Sequence, residues 1–212
     1  MEGNDSIDSL LQEINKISFD GGSSCWVDIT HINNPHSFFV RPRAYNTYMP
    51  TVQTRGKHLM ESEVSKGKIV IYKSPKLRSH VRGKVLSVVE GDELPQYKLF
   101  SLDFGLIEVD VPLKKIRKAY YTTEVPPLAT HCQLANCAPL GEDFDETATE
   151  AMKSYVKGER AKMIIKHKTP DSLIVELYNT CPDDIATLLA LTGYTTLGYI
   201  EPTVSRLKNL QL

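Results

Sequence analysis

Between residues 68 and 112 four short β-prone runs follow one another at hairpin spacing, and few folds accommodate that arrangement. Residues 69–72 read IVIY and lead into a loop rich in Lys, Ser and Pro. Residues 81–89 follow, then a turn at Glu90-Gly91-Asp92, a run over 97–103, a tight turn at Phe104-Gly105, and a run over 106–111. β-branched and aromatic residues fill the runs and turn formers fill the gaps, which is hairpin chemistry. Four such strands predict a small, strongly bent antiparallel barrel. Gly83 inside its run fits a bend or a bulge. Residues 113–117 add a short helical turn and a closing strand.

The flanking sequence predicts helices and two more hairpins. Ile7, Leu10, Leu11, Ile14 and Ile17 recur at helical spacing over 5–17, with Asn4 or Asp5 as cap. Residues 19–24 read as a loop. Strands over 26–32 and 37–41 enclose Asn33-Asn34-Pro35-His36, and Pro42 closes the second because it lacks a ladder donor. A helix is expected over 52–63, after Pro50. Beyond the barrel, an extended run leads from Pro126-Pro127 to about 135. Asp143-Phe144-Asp145-Glu146 has capping-box spacing before a helix to 156, with Ala148, Met152 and Tyr155 inward and Lys157-Gly158-Glu159 ending it. Strands over 161–168 and 172–178 turn at Thr169-Pro170-Asp171. A last helix spans 182–192, with Pro182 in its first turn and Gly193 stopping it. Residues 201–212 form a tail or one more helix. The 26–41 hairpin is too small to fold alone. Pairing it with 128–179 builds a five-stranded lobe, with the barrel inserted in a connection.

Composition narrows the function classes. Residues 66–119 carry twelve Lys or Arg against six Asp or Glu, a balance of +6, while the rest of the chain is −7. A basic block of this kind is a solvated face, or a surface for an anion such as nucleic acid or an acidic peptide. No apolar run reaches 18 residues, so no membrane span is expected. The N-terminus is acidic where a secretory signal is basic and then apolar. Cys25, Cys132, Cys137 and Cys181 form no C-x-x-C pair and no ligand grouping, so neither a metal nor a disulfide framework is expected, and the default setting is reducing and intracellular. A metal-dependent nuclease needs clustered carboxylates and an arginine on the phosphate. Asp143, Asp145, Glu146 and Glu150 read instead as a helix start and its exposed face, and the six histidines are isolated. The expectation is no enzyme, no cofactor and no small-molecule substrate.

The ordered segments VDITHINNPHSFFVRP, GKIVIYKS, HVRGKVLSVV, YKLFSLDFGLIEV and PPLATHCQLANCAPLG resemble an extended Tudor domain over roughly residues 24–200. The most specific piece is Ser101-Leu102-Asp103-Phe104-Gly105-Leu106, which stands where the family has an aromatic-Ile-Asp-Tyr-Gly-Asn strand turn. The resemblance implies a β-rich α+β fold in which a Tudor barrel is inserted into an OB lobe of staphylococcal-nuclease type. On that template residues 1–64 hold the N-terminal helix, first OB hairpin and linking helix. Residues 65–122 are the Tudor barrel, 123–200 complete the OB lobe, and 201–212 are a tail. It also implies a non-catalytic protein-protein interaction module of the germline small-RNA (piRNA) pathway, acting in gene silencing. Its place would be the cytoplasm, at perinuclear germline granules. The implied partner is an Arg-rich tail of a Piwi-clade Argonaute protein, often with symmetrically dimethylated arginine.

Methylarginine is best held between flat aromatic faces, because methylation blocks hydrogen bonds but keeps the charge. Carried across position by position, the family's aromatic walls fall at Pro75, Val81, Ser101 and Phe104, and its Asn falls at Leu106. Only Phe104 is a ring. The cage is incomplete, with Tyr72 a replacement wall if the loop shifts. Losing two or three walls, each worth about 0.5–2 kcal/mol, removes most preference for methylation. Recognition then rests on carboxylates bonded to an unblocked guanidinium, and Asp103 and Glu108 are nearest in sequence. A turn Asp equally suits capping of backbone N–H groups, and Phe104 equally suits barrel core. The alternatives are nucleic-acid binding along Tyr72, Lys73, Lys76, Arg78, Arg82 and Lys84, and a dimerisation scaffold docked through the 1–17 helix.

Overall fold

The computed structural model describes residues 2–89, 95–121, 124–156 and 160–198. The expected turn at 90–92, the helix stop at 157–159 and the tail at 201–212 lie outside the described residues. The chain folds into two compact units, each built from two segments. One takes Met1–Lys16 and Ala44–Ala129, the other Ile17–Arg43 and Thr130–Leu212.

The second unit is a closed five-stranded barrel. Its strands are β1 (Ser24–Asn34), β2 (Ser37–Pro42), β9 (Thr130–Leu134), β10 (Ala161–Lys168) and β11 (Leu173–Tyr178), in the order β1-β10-β11-β9-β2. β11 runs parallel to β9, and the other neighbours are antiparallel. The expected pairing of the first hairpin with the second half of the chain is present. Alternation turns Phe38, Val40, Met163, Ile165, Val175 and Leu177 inward, all fully buried. Met152 of α3 (Glu146–Val156) and Leu189 of α4 (Ile185–Leu191) join that core. Asp145 caps α3 by accepting the Ala148 amide at 2.7 Å.

α4 starts later than the position of Pro182 implies. Asp184 is its cap and accepts the amides of Ala186 and Thr187 at 2.9 and 3.1 Å. Asp184→Ala is expected to cost about 1 kcal/mol. Chemical denaturation checks it, and an unchanged midpoint would place the helix start elsewhere.

The first unit is a six-stranded sheet in the order β3-β8-β4-β5-β6-β7. The strands are β3 (Arg55–His58), β4 (Ile69–Lys73), β5 (His80–Val89), β6 (Gln96–Ser101), β7 (Ile107–Pro112) and β8 (Ile116–Ala119). The expected small barrel is bent but its hydrogen bonding leaves β3 and β7 as edges. Irregularities at Val85/Ser87 and Tyr97/Leu99 supply local twist. Val70, Tyr72, Val81, Val85, Tyr97, Leu99, Val111 and Ile116 form its core. Ile7 and Leu10 of α1 (Glu2–Lys16) are also buried.

The helix expected over 52–63 is absent. Its place holds a single turn, α2 (Met49–Val52), then β3, then a 3-10 turn at Glu61–Glu63. Pro50 suits a first helical turn and not an interior. Gly56 then lets β3 press on β8, since a Cβ there would lie 2.8 Å from the Lys118 carbonyl oxygen.

Candidate functional site

The turn between β6 and β7 is the centre of the predicted site, and its local chemistry is firmly set. The Ser101 amide donates to the Leu106 carbonyl at 2.8 Å, and the Gly105 amide to the Ser101 carbonyl at 2.9 Å. Gly105 has φ +73°, a left-handed conformation that favours glycine.

Asp103 anchors this turn from inside. Arg82 on β5 donates to it through Nε (3.1 Å to Oδ2) and Nη2 (2.7 Å to Oδ1), and the Leu128 amide adds 3.2 Å to Oδ1. The other guanidinium hydrogens go to the carbonyls of Tyr121, Val125 and Pro126. All five N–H groups of the arginine are thereby matched. Both side chains are 0% exposed. Asp103, expected as a carboxylate for a ligand, is instead held by Arg82. Arg82 and Tyr72, read as part of a phosphate-tracking row, are internal as well. Arg82 holds the carbonyls of Tyr121, Val125 and Pro126 and Tyr72 fills the sheet core, so neither presents a surface.

The cage-equivalent positions divide in the same way. Val81, Ser101 and Leu106 are buried, Phe104 is half-buried and packs on the sheet core, and Pro75 is exposed on the β4–β5 loop. Three of the five therefore face the interior. Tyr72 fills the space beside them: a Cβ built on Gly83 would lie 2.6 Å from its Cε1.

Glu108 on β7 is 3% exposed and holds the β4–β5 loop. Its Oε1 accepts Ser74 Oγ at 2.9 Å and the Lys76 amide at 3.0 Å. Ser74 Oγ in turn accepts the Leu77 amide, and the Ser74 amide reaches the Ser79 carbonyl, both at 2.9 Å. Glu108 Oε2, Tyr72 Oη and Ser101 Oγ are buried with no hydrogen-bond partner among the described residues. They feel one another all the same. Burial chiefly, and then Glu108, push the Tyr72 phenol well above its usual range, while Ser101 opposes the shift. Three buried polar side chains, one of them a carboxylate, thus adjoin one another at the cage-equivalent positions, with Tyr72 between Glu108 and Ser101 as hydrogen-bonding neighbours.

Sequence reasoning found Glu108 and Tyr72 as supporting residues but missed the Arg82–Asp103 clamp. The signal was present as a charged residue between Val81 and Gly83, in a run otherwise fit for burial. Among the described residues no three His, Cys, Asp or Glu gather as a metal site would need, and no helix is long and apolar enough to cross a membrane.

The family model described as Tudor domain matches residues 21–136. The extended Tudor domain of human TDRD1, solved with a symmetrically dimethylated E2F peptide, superposes with TM-score 0.75 at 18% identity, covering 86% of this chain and 94% of that one. Extended Tudor domain TD3 of mouse TDRD1, with a MILI peptide containing dimethylarginine, gives 0.71 at 14% identity and covers 86% and 97%. A mutant Drosophila melanogaster Papi extended Tudor domain, with an unmethylated Piwi N-terminal peptide, gives 0.67 at 13% identity and covers 83% and 100%. At these identities the likeness is one of fold. No curated protein matches the chain.

Proposed function

Since this chain belongs to the Tudor domain family, we propose that it is a non-catalytic peptide-binding domain that takes an Arg-rich tail of a Piwi-clade Argonaute protein without needing arginine methylation. The observation that carries this reading is the interior of the six-stranded sheet. Where a methylarginine would need flat walls, Val81, Ser101 and Leu106 are buried, and the nearest charge with an unsatisfied oxygen is Glu108. An unmodified guanidinium has five N–H donors, and methyl groups remove some of them. A carboxylate oxygen, a phenol and a hydroxyl reward donors, whereas a ring cage rewards methyl groups. The β4–β5 loop would part from Glu108 to admit the side chain. Its tip is built for a distinct backbone state, with Arg78 at φ +56°.

The test is calorimetric titration with one Arg-rich tail peptide in unmethylated and symmetrically dimethylated forms. Equal affinity supports the reading, and a gain of about tenfold or more on methylation removes it, since that is the scale of a working cation–π wall. Glu108→Gln is expected to weaken the unmethylated peptide about tenfold or more, because a charge-assisted bond contributes about 1.5–3 kcal/mol. An unchanged affinity in that variant would take Glu108 out of the site.

On this reading the protein works in the germline piRNA pathway, in gene silencing, in the cytoplasm at perinuclear granules. Immunofluorescence in germline cells that finds it elsewhere would remove that part of the proposal.

A further inference from the structure

The outer face of the five-stranded barrel carries a row of side chains that peptide recognition does not use. Val27, Ala161 and Leu177 point into the core, so the residues one step along each strand point out. In register these are Trp26 on β1, Lys162 on β10 and Tyr178 on β11, each directly opposite the next. Opposed side chains on adjacent strands have Cβ atoms about 5 Å apart. Trp26, the only tryptophan of the chain, is 52% exposed, which is unusual for so large an apolar ring. Lys162 is exposed and has no acidic partner among the described residues.

The same face continues along β10 to Lys166 and His167. There it opens on a cavity of about 150 Å³ lined by His36, Gln133, Asn136, Lys166 and His167 among others. From Lys162 to His167 the strand covers about 16 Å. Glu176 lies between the two ends, tied to Lys166 at 3.1 Å and to the Tyr178 hydroxyl at 3.2 Å.

This chemistry selects its ligand. A lysine seated between two rings repels a cation, so the row is not a second cage for methylarginine. It attracts an anion that also brings a flat face to lay on Trp26. Nucleotides supply both, because a base stacks and its phosphate pairs with an ammonium. Glu176 keeps the positive charge of the face modest, which disfavours a densely acidic peptide. The amides of Gln133 and Asn136 suit the polar edge of a second base.

We propose that this barrel face binds a short single-stranded nucleic acid, with one base on Trp26, a phosphate at Lys162 and a further base at the cavity. The six-stranded sheet is richer in charge and has an exposed ring of its own in Tyr120, two residues beyond Lys118, but the barrel face is where strand register sets a cation between two rings.

Trp26 is its own reporter. Titrating the full chain with an eight-nucleotide single-stranded RNA, and in parallel with the matching DNA, is expected to change its emission saturably. One or two phosphate contacts give a slope of log K on log salt of about −0.7 to −1.4. By anisotropy with labelled RNA, Trp26→Ala is expected to lower affinity about tenfold or more, the scale of one lost stacking platform. Trp26→Phe recovers part of that, and Lys162→Glu loses binding. Both positions are exposed, so the fold is retained, and circular dichroism checks it. The double variant R55E/K73E on the six-stranded sheet is expected to bind like the parent. DNA binding as well as RNA assigns the face to single strands generally, and RNA alone assigns it to the ribose hydroxyl. The proposal is overturned by a flat emission trace up to about 1 mM RNA in about 50 mM salt, far above even non-specific affinities. It is equally overturned if polyglutamate gives the same response, or if R55E/K73E abolishes binding while Trp26→Ala leaves it intact.

Discussion

Arg82→Ala is expected to destabilise the six-stranded sheet unit by about 3–5 kcal/mol, with Asp103→Ala close behind, because either change strands a buried charge or its partners. Removing the guanidinium takes two donors from the Asp103 carboxylate and leaves it the Leu128 amide. It also takes the donor from the carbonyls of Tyr121, Val125 and Pro126. For domains whose whole stability is about 5–15 kcal/mol, that is a large share. Arg82→Lys is not a rescue, since an ammonium lacks the planar fork that spans a carboxylate and three carbonyls. The double change R82M/D103L is expected to recover part of the loss. It removes the buried charge but leaves the carbonyls of Tyr121, Val125 and Pro126 without that donor. Urea denaturation of the four proteins settles the matter. A single variant within about 1 kcal/mol of the parent would mean that water reaches the pair and the clamp is weak, as surface pairs are.

Gly83→Val is expected to cost about 1–3 kcal/mol or more, although strand propensity alone argues for a gain. A Cβ at this position would stand 2.6 Å from Tyr72 Cε1, 3.0 Å from its Cδ1 and 3.3 Å from the Phe100 carbonyl oxygen. Tyr72 is fully buried in the sheet core and has no open side to turn to. The sign of the change therefore separates packing from propensity. Gly83→Ala made in a Tyr72→Leu background is expected to cost less than in the parent, which a double-mutant cycle reads as coupling between the two positions. Additive costs would show that the backbone at Gly83, and not the ring, sets the requirement.

The sequence was most legible where a period and a stop signal agree. The pairing of 26–41 with the second half followed from element sizes, and the closed barrel has those strands. The Phe104-Gly105 turn was recognisable because a left-handed turn depends on the residue itself, whereas capping-box spacing pointed to Asp143 and the cap is Asp145, just before Glu146. The stretch after Pro50 was misread because no pattern there outweighs another. What decided it was contact with β8 across a distant part of the chain, which no local window contains. The bent antiparallel sheet of residues 69–112 followed from hairpin spacing, which does not say how its first and last strands are bonded.

At the candidate site the limit was different. Spacing placed Asp103 and Glu108 near each other in the chain but could not say which way each carboxylate turns. Arg82 claims the first, while the second turns to Ser74, the Lys76 amide and the Tyr72 phenol. The difference lies in the partner opposite each strand position, which a single sequence does not reveal. The outer row of Trp26, Lys162 and Tyr178 was hidden for the same reason, as Trp26 stands more than a hundred residues from the other two until the barrel closes.

That separation has a consequence for synthesis on the ribosome. The six-stranded sheet is complete once residue 129 has emerged, whereas β1 and β2 must await β9 to β11, which end at Tyr178. From Pro42 to Tyr178, at about 5–20 residues per second, the newborn chain carries a hairpin without its partner strands for about 7–27 seconds. Phe38 and Val40, later sealed in the barrel, face water in that interval. An early-made, late-sheltered hairpin of this kind is a natural client for a chaperone during translation.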